Sequence, residues 1–183
     1  MNKSQYWADQ LANRIIKTHR AKTYIVECGV TPSGRKHIGN YREIITNALV
    51  AKALGDTGKK VIFQLGGDSY DRLRGIPADL EGRDAIKKYL GKPVAEVPYK
   101  NTTYAKYFEK LLLNEIKATG FNPKTISNYD HYKTGKFAPL LRTLMQKRKK
   151  VAEILNRSRR EPYSENWYPA TVYCERCSKD TTK

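Results

Sequence analysis

Between Gly29 and Asn40 the chain reads Gly29-Val30-Thr31-Pro32-Ser33-Gly34-Arg35-Lys36-His37-Ile38-Gly39-Asn40, a run dense in hydroxyl, amine, imidazole and glycine. Lys36 and His37 are side-chain donors for phosphate oxygens, and a helix beginning near His37 would add its unpaired backbone N–H groups and partial positive charge. Gly39 has no Cβ, so a flat ring can approach the backbone closely there. The plainer reading stays open: Gly34 and Gly39 shape a turn and His37 caps a helix. Asp68 and Asp71 lie farther on and suit an ammonium or a metal-bound phosphate, although an Asp at that place also serves as a turn cap, or in the case of Asp71 as a partner for Arg72 and Arg74. Cys174 and Cys177 have the CxxC spacing of half a zinc site. A structural zinc needs four ligands, so zinc would require further ones from outside this chain. Nothing resembles a hydrolytic triad.

The elements around these residues follow from periodicity. Trp7, Leu11 and Ile15 recur at helical spacing after Ser4, a candidate cap. Tyr24-Ile25-Val26 reads as a buried strand ending at the glycine-rich turn, and Tyr41, Ile44, Ile45, Ala48 and Leu49 share one helix face that Gly55 and Gly58 close. Lys60–Leu65 is a second strand before Gly66-Gly67-Asp68, completing a βαβ unit. Helices are expected near 79–90 and through Tyr104, Tyr107, Phe108, Leu111 and Leu112, with a short strand at Lys124–Ser127. One long amphipathic helix is expected from Phe137 to Leu155, with Lys147, Arg148, Lys149, Lys150 and Arg157 on its exposed side. Alternation of this kind implies a parallel sheet wrapped by helices, with ligands bound beyond the carboxyl ends of the strands.

Composition bounds the function. The 183 residues suit one compact domain, and 39% hydrophobic content argues for a core. Thirty-five Lys and Arg against 18 Asp and Glu leave a net charge of +17, which favours a polyanionic partner. No apolar run approaches the roughly 20 residues of a membrane span, and the start MNKSQYWADQ lacks a secretory stretch. A cytoplasmic protein with no membrane partner is expected. Three Cys do not make a disulfide framework, and Cys28 is most simply a small buried apolar residue.

His37-Ile38-Gly39-Asn40 resembles the HxGN form of the HIGH signature of class I aminoacyl-tRNA synthetases, and Gly29–Glu43 as a whole resembles the first nucleotide-binding turn of class I lysyl-tRNA synthetase, the mainly archaeal form. Trp7-Ala8-Asp9, Asp68–Arg74 and Glu165-Asn166-Trp167-Tyr168-Pro169 agree in order and spacing. The resemblance implies an α/β Rossmann-type, HUP-like fold over residues 1–163, with 164–183 opening a zinc-ribbon-like segment. It implies ATP, magnesium-bound, as a substrate held by Thr31, Pro32, Ser33, Lys36, His37, Gly39 and Asn40. His37 and Asn40 would be the catalytic pair, and Gly29, Thr31 and Asp68 would meet the lysine. The family has two adjacent acids where this chain reads Asp68-Ser69.

The expected activity is therefore lysine activation by ATP and transfer to tRNA. The family's second signature, a KMSKS lysine loop, has no counterpart here: Lys147–Lys150 lacks its flanking Met-Ser pattern. The site is thus expected to be incomplete, with a complementary subunit among the candidate partners beside L-lysine and tRNA. The competing reading is a synthetase-derived module that binds tRNA or other RNA through the basic helix without full aminoacylation. A nucleotidyltransferase shares the turn but not the Trp7, Asp68–Arg74 and Trp167 matches.

Overall fold

A computed structural model describes residues 6–180. Helix α1 (Trp7–Thr18) precedes strand β1 (Tyr24–Val30), helix α2 (Ile38–Asp56) and strand β2 (Val61–Gly67). Helix α3 is one turn, Arg83–Ile86, followed by the 3-10 turns Lys87–Tyr89 and Val94–Glu96. A small hairpin, β3 (Pro98–Tyr99) and β4 (Thr102–Thr103), leads into α4 (Tyr104–Ala118), β5 (Lys124–Ser127) and α5 (Asn128–Lys133). Helices α6 (Ala138–Gln146) and α7 (Arg148–Asn156) come last. Ser4, the candidate cap of α1, lies outside the described residues; Tyr6 occupies the N-cap position and its side chain does not cap the helix.

The sheet has the order β1-β2-β5, all parallel, with Gly29 opposite Gly66 and Val30 opposite Gly67. Both crossovers advance in the same direction, so their right-handedness places α2 and α4 on the same side of the sheet. Cys28, Val30 and Leu65 there bury against Ile44 of α2 and Leu112 and Ile116 of α4. Ala8 and Ala12 of α1 add Tyr24, Val50 and Leu54 to that layer. The opposite face of β1 is bare: Ile25 is 63% exposed, and Glu27 and Gly29 are also exposed. Parallel sheets are ordinarily covered on both faces, so this one is wound on one side. A third apolar cluster, Leu73, Ile86, Val94, Val97, Tyr99, Tyr104, Ala105 and Phe108, packs the 73–97 loops and the hairpin against the start of α4.

Two expected helices differ. The segment 79–90 yields one α-helical turn and the 3-10 turn Lys87–Tyr89, beginning only after Gly82, which adopts a left-handed φ of 73°. The long helix expected over 137–155 is two, separated at Lys147 (φ −100°, ψ 18°). The cations at 147–150 therefore begin a helix instead of lying within one. A positive charge in a helix's first turn opposes the dipole, so α7 owes nothing to them. Among the described residues no helix is long and apolar enough to cross a membrane.

Candidate functional site

The turn between β1 and α2 stands at the carboxyl edge of the sheet, and its conformation is held from three directions. Tyr104, fully buried at the start of α4, donates its hydroxyl to the Ser33 carbonyl at 2.9 Å. Thr31 donates its hydroxyl to Asp71 Oδ2 at 3.0 Å. The Lys36 ammonium donates to the Thr31 carbonyl, and its burial lowers the lysine pKa from the ordinary 10.5. Pro32 is fully buried and shapes the turn from within. Asp71 is thus bonded to Thr31, while Arg72 pairs with Asp180 at 3.2 Å; the internal pairing of Asp71 with Arg72 and Arg74 is not what forms.

His37 is the N-cap of α2. Its Nδ1 accepts from the Gly39 N–H at 3.1 Å, and its own N–H donates to Asn40 Oδ1 at 3.4 Å, the reciprocal arrangement of a capping box. An accepting Nδ1 places the proton of the neutral ring on Nε2, which has no partner among the described residues and is free to donate. The first turn of α2 carries no acid, so its N-terminal charge is uncompensated. Gly39 has a local reason to be glycine: a Cβ there would stand 2.8 Å from His37 Cε1. Its absence lets the imidazole fold back onto the helix.

Asp68 continues β2 and accepts from Asn128 Nδ2 at 2.6 Å through Oδ1, with its other oxygen 3.3 Å from where a Gly29 Cβ would be. Gly29, Thr31, Asp68, His37 and Asn40 are thereby gathered on one edge from three segments. Two participants carried no sequence signal: Tyr104, hidden in a helix pattern, and Asn128, at the start of α5.

The expected RNA-binding residues separate into two groups. Lys147, Lys149 and Lys150 are exposed and unpaired among the described residues. Arg148 instead donates to the carbonyls of Glu165 (2.6 Å) and Trp167 (3.2 Å) and sits 4.6 Å over the Tyr168 ring, pinning the following segment to α7. Arg157 pairs with Glu153 at 2.9 Å.

Cys28 is buried, and burial pushes its thiol up to about 11, leaving it protonated and unreactive. The Cys174 thiol is lowered by the backbone N–H groups of Cys177 and Arg176. Among the described residues no third Cys, His, Asp or Glu joins this pair. Two thiols alone do not fit a structural zinc, and no chemistry is routed through one.

Comparison with known proteins identifies the family. The family described as tRNA synthetases class I (K) matches residues 5–183. Lysine–tRNA ligases of Borreliella burgdorferi and Pyrococcus horikoshii are 36% and 38% identical over 98% and 92% of this chain. That of Thermococcus kodakarensis is 37% identical over 96%. The chain spans about 35% of the length of these relatives. Its parallel sheet with flanking helices is the Rossmann-like α/β arrangement expected from sequence, and the chain belongs to the class I, lysine-type tRNA synthetase family.

Proposed function

We propose that this chain provides the ATP-gripping part of a lysine–tRNA ligase site. The observation that carries the reading is the His37–Asn40 cap at the N-terminus of α2, standing beyond the carboxyl end of β1 with an exposed imidazole and no acid in the helix's first turn. ATP enters as its magnesium complex, its phosphates over the N-terminus of α2 and its adenosine along the Gly39–Asn40 backbone. A lysine carboxylate oxygen attacks the α-phosphorus, pyrophosphate leaves, and a tRNA ribose hydroxyl then attacks the acyl carbon and releases AMP. No side chain acts as nucleophile. The protein contributes position and fixed positive potential: backbone N–H groups, the Nε2–H of His37 and the Lys36 ammonium near the developing phosphoryl charge.

Groups that this segment does not carry, including the family's KMSKS lysine, would come from polypeptide lying on the bare Ile25–Glu27–Gly29 face, a complementary subunit being one source. Losing one preorganised charge at a transferring phosphoryl group costs about 100- to 1,000-fold in rate. The 183-residue chain by itself is therefore expected to form adenylate slowly and to acylate tRNA very weakly. Lysine-dependent pyrophosphate exchange followed by tRNA acylation tests this, and turnover equal to an intact ligase would show the second signature to be replaced from within the chain. The second reading, an RNA-binding module without aminoacylation, is favoured by the three unpaired lysines at the start of α7. Exchange wholly absent while RNA binding persists would select it.

A further inference from the structure

Helix α4 keeps its charges apart. Lys106, Lys110 and Lys117 fall within about 40° of one another around the helix, with Asn114 beside them. All four are exposed, and none of the three lysines has an ion-pair partner among the described residues. The two acids of α4 are directed elsewhere. Glu109 is half-buried over β2, its Oε1 2.7 Å from where a Gly67 Cβ would be, and Glu115 accepts from the Tyr41 hydroxyl. A helix surface made only for solubility would gain from pairing such acids with lysines one turn away. Lys106, Lys110 and Asn114 instead form one wall of a trough of about 530 Å³, whose other side chains include Lys100, Asn101, Tyr107 and Leu111. No acid among the described residues lines it; Glu81 pairs with Lys100 at 2.9 Å outside its wall. The Tyr107 ring is fixed edge-on to Tyr99 and Phe108, at centroid separations of 4.9 and 5.2 Å.

We propose that this trough binds an unpaired RNA strand, its phosphates following Lys106, Lys110 and Lys117 and one base lying against Tyr107 and Leu111 with the Asn101 and Asn114 amides at its edge. The surface uses none of the α7 cations, and the proposal does not depend on the chain's activating an amino acid. The trough is within the range of clefts that hold a small ligand, roughly 300 to 1,000 Å³, and so has room for one nucleotide. Lys106 and Lys110 are about 6 Å apart along the axis and Lys117 about 10 Å farther on, so the line of charge outruns the trough. An extended polyanion uses all of it, whereas a free nucleotide would leave Lys117 unmet. A duplex would offer phosphates to the lysines but keep its bases stacked, away from the tyrosine and the amides. An acidic protein segment would likewise meet the lysines alone. A ring face together with amide donors and acceptors is the set that recognises an exposed base.

The test is fluorescence anisotropy of the full chain with a labelled, unstructured oligouridylate and with an RNA duplex of equal charge, each over a range of salt. Wild type is expected to prefer the single strand. Each single-strand phosphate contact contributes about 0.7 to the slope of log affinity against log salt, so replacing Lys106, Lys110 and Lys117 together by Gln should lower it by about 2. Tyr107→Leu keeps an apolar side chain but removes the ring, and should weaken single-strand binding about fivefold or more with the slope unchanged. Asn114→Asp puts an acid into the trough at an exposed position, leaves the fold in place, and should weaken binding several-fold at low salt, which keeps the test decisive if Tyr107→Leu proves unstable. A slope unchanged by the three lysine replacements, or an affinity unchanged by Asn114→Asp, overturns the site and puts the RNA elsewhere. Duplex bound as tightly as single strand, with Tyr107→Leu silent, overturns the seating of a base. Poly-L-glutamate displacing the RNA at matched charge, with the same sensitivity to Asn114→Asp, would reassign the trough to an acidic protein.

Discussion

His37 caps a helix through one nitrogen and is proposed to meet a phosphate through the other, and the two roles can be separated. Its Nδ1 caps α2 by accepting from Gly39 N–H, which leaves Nε2 for the proposed contact. His37→Ala removes both and is expected to cost on the order of 1 kcal/mol of stability together with nucleotide affinity. Asn is a better cap than most residues, so His37→Asn should recover the melting temperature and leave ATP binding weak. Thermal denaturation and calorimetric titration of the two variants measure this. Recovery of both properties would make the residue a cap and nothing more. Gly39→Leu is less informative, because its side chain would displace the His37 ring as well as any ligand.

At the scale of elements, the first turn of α4 supports the β1–α2 turn. Tyr104 is buried and donates to the Ser33 carbonyl, and burial pushes its hydroxyl up to about 12. The folded value lies above the unfolded 10, so the associated stability is complete below pH 10 and declines as pH rises from 10 towards 12. Tyr104→Phe should lose about 1 kcal/mol at neutral pH and flatten this alkaline decline. Denaturant titrations at pH 7 and at pH 11 provide the comparison. A variant with wild-type alkaline sensitivity would assign that sensitivity to other tyrosines, among them Tyr41, whose hydroxyl donates to Glu115 and is also raised.

For the molecule as a whole, excess positive charge should appear as salt-dependent RNA binding. Lys147, Lys149 and Lys150 are the free cations at the start of α7, so their joint replacement by Gln should lower the slope of log affinity against log salt by about 2 to 3. Arg148→Gln should behave differently. It releases the segment carrying Trp167 and Tyr168, and its effect should appear first as lost stability near the C-terminal residues. A slope unchanged by the three lysine replacements would leave the basic face with solubility alone.

Much of this protein is legible in one dimension because the determining interactions are local. The βαβ unit follows from two short apolar strands, a helix of period 3.6 and the glycines between them, and the gathering of Gly29, Thr31, His37, Gly39 and Asn40 follows from their contiguity. The break at Lys147 was not legible, because no glycine or proline marks it. The short α3 depends on Gly82 entering the left-handed region within an otherwise helical apolar pattern. The relations decided by tertiary structure join residues far apart in the chain: Tyr104 to Ser33, Asn128 to Asp68, Gln64 to Glu27, Thr31 to Asp71. Each depends on strand register and on which side of the sheet a crossover passes, neither of which any local pattern encodes. The bare face has the same origin. Alternation along β1 shows that two sides exist, but only the common direction of both crossovers leaves Glu27 and Gly29 on the side without helices.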